Sequence, residues 1–126
     1  GYNAILKSFT QLINSKEEEL QRWELMVCGK ENYKIDKIKD LRVRYNLSFI
    51  PDEEVSNIFN YSNIILMPYT QASQSGVLVL AAQFSLYPVI SNIPSLKEQA
   101  EIYFENFSIA GPDSNSLFSK ISEIIK

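Results

Sequence analysis

An open, doubly wound α/β domain, with a parallel sheet covered by helices on both faces, is the fold class this sequence predicts. Three observations predict it. Segments with helical spacing alternate with short apolar runs along the whole chain, the pattern of strands joined by helical crossovers. Residues 64–67 (Ile-Ile-Leu-Met) are apolar without alternation, as in a parallel strand covered on both faces. Between Glu54 and Glu98 the only charged side chain is Lys97. A stretch that neutral suits the buried middle of a sheet, or a site floor built from backbone and hydroxyls.

The elements follow in order. Residues 2–13 place Ile5, Leu6, Phe9, Leu12 and Ile13 on one helical face. A polar connection over 14–19 leads to a strand at 23–28, closed by Gly29. Ile35, Ile38 and Leu41 share one face of a second helix expected over 34–45, with the mixed charges from Lys30 to Arg44 as its solvated side. A brief strand follows at 47–50. Pro51-Asp52-Glu53-Glu54 opens a helix, because proline suits a first turn and carboxylates favour the positive end of the helix dipole. Val55, Ile58 and Phe59 supply its inner face. After the strand at 64–67 comes a polar, uncharged loop at 70–75 and a buried helix at 76–84, whose Val-Leu-Val-Leu is also compatible with a strand. Strands at 88–91 and 107–110 and helices at 95–103 and 114–125 complete the alternation.

Composition bounds the function. The chain has 126 residues, 45% hydrophobic and 21% charged, which fits one folded domain over 1–126 and excludes a disordered or repeat-rich chain. A net charge of −3 gives no surface for nucleic acid. One cysteine, Cys28, excludes an internal disulfide and suits a reducing compartment; at a strand end it reads as a small apolar residue. With no histidine, a Ser-His-Asp triad and Cys/His zinc sites are excluded. No apolar run reaches the roughly 20 residues of a membrane helix, and the first residues lack the pattern of a signal peptide. The start at Gly1 without methionine suggests a piece of a longer protein. Glu17-Glu18-Glu19 and Asp52-Glu53-Glu54 read as helix-start acids rather than metal ligands. The expected strand ends, at Gly29, Pro51, Pro68 and Asn92, lack the acidic cluster of a phospho-acceptor domain.

In such a fold the ligand lies beyond the carboxyl ends of the strands. The loop after Met67 is the candidate: Pro68-Tyr69-Thr70-Gln71-Ala72-Ser73-Gln74-Ser75-Gly76 is rich in hydroxyls and amides and free of carboxylate. It leads into a helix start, where unpaired N–H groups and the dipole favour an anion, and where Gly76 lets a phosphate approach the backbone. The same residues also read as a plain helix start, with Ser73 or Ser75 as cap.

From Pro68 to Glu98 the chain resembles the donor-binding signature of GT-B glycosyltransferases, and more narrowly of family 4, the group-1 glycosyl transferases. The resemblance rests on Pro-Tyr-Thr-Gln-Ala-Ser-Gln-Ser-Gly-Val-Leu, an Ala-containing helix, Tyr87-Pro-Val-Ile-Ser and Leu96-Lys97-Glu98, in the same order of elements. It implies a Rossmann-like domain forming the C-terminal half of a two-domain enzyme, with its first strand, its last helix and the acceptor domain outside this chain. It implies that Ser73, Gln74, Ser75, Gly76 and Val77 hold the diphosphate and sugar of a nucleotide-sugar donor, with Phe49, Ile50, Pro51 and Ala81 near its base and ribose. The implied reaction is retaining transfer of a hexosyl group to a polysaccharide or lipid-linked acceptor, in the cytoplasm or at the inner membrane face, without metal or cofactor. No catalytic residue is assigned within this chain, which is expected to be inactive without the acceptor domain. Two glutamates usual in the family fall at Ser73 and Ala81, and a usual glycine at Leu86. These departures define the alternative, a divergent non-catalytic half whose donor site has decayed and which serves packing or partner binding.

Overall fold

The computed structural model describes residues 2–28, 35, 37–48, 50–67 and 76–126. The chain divides into two compact units, one made of Tyr2–Pro51 with Asp113–Lys126, the other of Asp52–Pro112.

In the first unit, helix α1 (Tyr2–Asn14) buries Ile5, Leu6, Phe9 and Leu12. The polar connection expected over 14–19 ends in a single turn of 3-10 helix, Glu18–Gln21, anchored inward by Leu20. Strand β1 (Leu25–Cys28) pairs in parallel with β2 (Val43–Asn46), with Leu25 opposite Val43 and Cys28 opposite Asn46. The last helix of the chain, Ser114–Ile125, packs on α1 through Leu117 and Ile121. Asp113 caps it, its carboxylate accepting from the Ser116 N–H at 3.2 Å and hydroxyl at 2.8 Å, which holds its pKa below the ordinary value. Gln11 and Asn115 join the two helices by a 3.1 Å hydrogen bond.

Trp23 organises this unit. Its ring meets Phe9 edge-on at 4.8 Å, its indole N–H donates to the Leu20 carbonyl at 2.8 Å, and the Arg42 guanidinium lies 4.3 Å over its face. Arg42 also donates to the Gln21 carbonyl and side-chain oxygen, and to both oxygens of Asp40.

Here the structure corrects two expectations. Of the helix expected over 34–45, the described residues are not helical, and its second half is a turn followed by β2. Asp40 explains this: its carboxylate takes the backbone N–H of Arg42 at 2.9 Å while its carbonyl accepts from Val43, closing a local turn that competes with a helix. Beyond it, Val43 and Tyr45 alternate as a strand does, Val43 buried against Leu6 and Val27 and the Tyr45 hydroxyl accepting from the Ile38 N–H at 2.7 Å. Of the three residues read as one apolar face, Ile35 and Ile38 turn inward and Leu41 stands free. The strand expected at 47–50 accordingly lies earlier, and the described residues among 47–50 are irregular.

The second unit is a parallel sheet in the order β3–β4–β5, formed by Ile64–Met67, Tyr87–Ser91 and Ser108–Ala110. Helix α2 (Asp52–Asn60) precedes β3, α3 (Gly76–Gln83) links β3 to β4, and α4 (Pro94–Tyr103) links β4 to β5. The helix of the first unit at Ser114–Ile125 is α5. Met67, Leu78, Ile90, Leu96 and Ala100 form the core between sheet, α3 and α4. α2 contributes half-buried side chains only, including Phe59, whose ring meets Phe84 edge-on at 5.9 Å.

Proline in the central strand is tolerated for a geometric reason. Tyr87 N–H donates to Asn63 at 2.9 Å, toward β3, so the missing donor of Pro88 would point toward β5, whose pairing starts one residue later with Ser108 opposite Val89. α3 ends in a left-handed cap at Ser85 (φ 57°), with Leu86 N–H reaching the Ala81 carbonyl at 3.3 Å and Ser85 N–H that of Ala82 at 3.3 Å. Leu86 is thereby turned into the interior.

The α/β class and parallel pairing thus stand, while the single continuous sheet does not: among the described residues the strands form two separate ladders, β1–β2 and β3–β4–β5.

Two predictions follow from this geometry. Ser85→Gly relieves the left-handed strain and should raise stability by about 0.5–1 kcal/mol in a urea titration. The Arg42 guanidinium beside Asp40 lowers its carboxyl from 3.8 to about 2. A depressed folded-state pKa stabilises fully above the unfolded value and is lost as pH falls through the folded one. Between about pH 4 and 2 the native protein should therefore lose more stability than Asp40→Asn, measured by denaturation at each pH.

Candidate functional site

The carboxyl edge of β3–β4–β5 carries the features from which a site can be built. β3 ends at Met67 and β4 at Ser91, and the Ser91 hydroxyl donates to the Met67 carbonyl at 3.2 Å, fixing the two strand ends together. Ser91 is buried, so its hydroxyl serves this link. The Ser91 carbonyl accepts from Ile93 at 2.8 Å, turning the chain into α4, which begins at Pro94 without a side-chain cap.

α3 begins at Gly76, on the exposed side of the unit. Among the described residues, nothing lies within 4 Å of a Cβ built on Gly76, which leaves the backbone here open on that side. Val77 beside it is 44% exposed. The first N–H groups of this helix have no intrahelical acceptor and carry the positive end of the dipole. No acidic residue lies in its first turn. The chemistry available is binding of an anion through backbone donors.

Ala81 has no exposed surface, and its carbonyl accepts from Phe84 at 3.1 Å and Leu86 at 3.3 Å, both part of the cap that ends α3. It is a packing residue in this structure. Ile50 is half-buried and Pro51 exposed; both belong to the first unit, whereas Gly76, Val77 and Ala81 all lie on α3 of the second. Phe49, Ser73, Gln74 and Ser75 lie outside the described residues, as does the rest of the loop after Met67.

Sequence reasoning noted Lys97 as a lone charge and within Leu96-Lys97-Glu98, without giving it a role. The structure places it in the first turn of α4, a half-exposed cation in the helix that starts from the same sheet edge and packs on α3. The signal available was its position six residues after the end of a strand, at the close of a long uncharged stretch. Cys28, at the end of β1, is half-buried; burial pushes its thiol above the ordinary range, away from thiolate chemistry. The Tyr2 hydroxyl donates to its carbonyl at 2.6 Å. Among the described residues no group of three or more Cys, Asp or Glu side chains could hold a metal ion, and no helix is long and apolar enough to cross a membrane.

No family model matches the sequence, and no curated protein matches it significantly.

The burial of Ala81 makes a direct prediction. Ala81→Glu forces a larger, ionisable side chain into a filled interior and should lower stability by at least about 1–3 kcal/mol in a urea titration.

Proposed function

We propose that the chain is the donor-binding half of a glycosyltransferase of the GT-B architecture, holding the diphosphate of a nucleotide sugar at the start of α3. The observation that carries this reading is the open backbone at Gly76, at the beginning of a helix that follows the carboxyl end of a parallel strand. In a parallel α/β sheet that edge is where ligands bind, and a helix start with free N–H groups is suited to phosphate. The resemblance of residues 68–98 to the donor signature of group-1 glycosyl transferases gives the ligand its identity: a nucleoside diphosphate carrying a hexose. Stabilisation of the leaving diphosphate by fixed backbone dipoles is the contribution such a domain makes to transfer. Lys97 adds the one positive side chain on the helix that starts from the neighbouring strand. The acceptor and the acceptor-binding half belong to a larger protein, and transfer is retaining in this reading. The reaction belongs to the cytoplasm or the inner face of the membrane.

A second reading has its own observation. With Ala81 sealed in the interior and serine at position 73, the glutamates usual in the family are lacking, which favours a half retained for packing or partner binding.

An amide-resolved NMR titration with UDP, GDP and ADP, each beside its nucleoside, distinguishes the two. The donor-site reading expects shifts at Gly76, Val77 and the preceding serines with a diphosphate and none with a nucleoside. Gly76→Val leaves stability within about 0.5 kcal/mol, since no described residue crowds its Cβ, and weakens diphosphate binding at least tenfold. Absence of shifts at these amides, or binding indifferent to Gly76→Val, removes the proposed site.

A further inference from the structure

The two most exposed aliphatic side chains among the described residues are Leu41, 98% exposed, and Ile102, 74% exposed. They sit in surroundings of opposite charge. Leu41 is at the turn before β2, in Lys37-Ile38-Lys39-Asp40-Leu41-Arg42-Val43-Arg44. Asp40 is consumed by its bidentate pair with Arg42, which leaves Lys37, Lys39 and Arg44 as exposed cations around the leucine. Lys37 lies 5.6 Å over the Tyr45 ring, and Arg44 is held only loosely by Glu24, at 3.9 Å with both side chains largely exposed.

Ile102 lies on the outer face of α4. Leu96, Gln99 and Ala100 define the buried face of that helix, and Glu98 and Glu101 lie beside Ile102 on the other. Glu105, just past the helix end, is also exposed. Among the described residues none of these three carboxylates forms an ion pair. An apolar residue flanked in sequence by three carboxylates, with the half-exposed Lys97 a turn further back, complements an apolar residue flanked by three exposed cations. Leu41 and Ile102 are both largely exposed, so the fit is available to a neighbouring molecule.

We propose that the chain associates head to tail, the Leu41 turn of one copy seating on the α4 face around Ile102 of the next. The two surfaces differ, so the contact is heterologous: each added copy leaves one turn and one face free at the ends, and assembly proceeds to a ring or an open chain. The burial of two isolated aliphatic side chains is small, and the charges supply register and salt sensitivity more than strength. The association is accordingly weak, populated at high concentration and low ionic strength, and reduced by salt.

Sedimentation equilibrium of the full chain from micromolar to millimolar concentration, at low and at high salt, tests this. The expected result is a mass that rises with concentration and falls with salt. Leu41→Asp and Ile102→Lys each remain monomeric by themselves; both sites are exposed, so circular dichroism should show native folding. Mixed in equal amounts, the two variants should form a 1:1 heterodimer and stop there, because one intact turn meets one intact face and both remaining surfaces are disabled. A monomer under all conditions overturns the proposal, as does association that both variants retain. A mixture that stays monomeric overturns the head-to-tail arrangement. Leu41-dependent pelleting with anionic phospholipid vesicles, in place of self-association, would assign the basic turn to a membrane surface and likewise overturn it.

Discussion

Every strand pairing among the described residues is parallel, and most of what the second unit does depends on that. Parallel neighbours cannot be joined by a tight turn, so each strand must be followed by a segment that returns the chain to the starting edge. Here α3 and α4 make those returns, and because β3, β4 and β5 are adjacent in chain order the two helices come to lie side by side. The same constraint puts the ends of β3 and β4 on one edge, where the Ser91–Met67 hydrogen bond joins them. The starts of α3 and α4 follow from that edge. The chemistry proposed for the start of α3 is thus a consequence of strand direction before it is a matter of side chains.

Central position imposes its own demand on β4. Pro88, Val89 and Ile90 are almost entirely buried, and Leu78 and Leu96 from the two return helices close over the sheet. Each such aliphatic side chain contributes about 1.5–3 kcal/mol relative to exposure. The first unit meets the same need with less sheet. It has a two-stranded ladder, too small to be stable alone, and uses helices α1 and α5 with the Trp23 cluster to enclose it. Arg42 connects that cluster to the turn before β2: it is at once the cation over the indole, the partner of Asp40 and a donor to Gln21. Locking the turn in this way is also what leaves Leu41 at its tip without cover.

The second unit was readable because its signals agree with one another. The apolar run Ile64–Met67, proline just ahead of α2 with carboxylates in its first turn, and neutral hydroxyls after β3 mark element type and order independently. Residues 34–45 were misread because three apolar residues at helical spacing outweighed a local signal, Asp40 two residues before Arg42, and the alternation of Val43 and Tyr45. Spacing cannot reveal that one of the three, Leu41, stays in water. The split into two ladders was equally illegible, because periodicity identifies strands and not their partners. Of the candidate site, the helix start at Gly76 could be located from glycine following a polar uncharged loop. The burial of Ala81 could not, because alanine is equally common on either face of such a helix.

The geometry of α3 separates the two ends of the ligand that the resemblance implies. From Gly76 to Ala81 the helix advances five residues, about 7.5 Å, and turns the side chain by about 140° from the starting direction. Gly76 consequently lies across the helix from Leu78 and Ala81, which face the core, whereas Val77, one turn before Ala81 on nearly the same side, is exposed; Ala81 is held by its carbonyl's role in the cap at Ser85 and Leu86. A carboxylate at position 81 would reach a ribose only if that cap and the packing around Leu86 were rearranged. Backbone donors at the first turn are not subject to this constraint, since they exist whatever the side chains are. A nucleoside diphosphate engaged here would be gripped through its phosphates. Its affinity would then depend on the dipole, on ionic strength and on the charge of Lys97, and its sugar and base would have to be recognised by residues other than those on the inner face of α3.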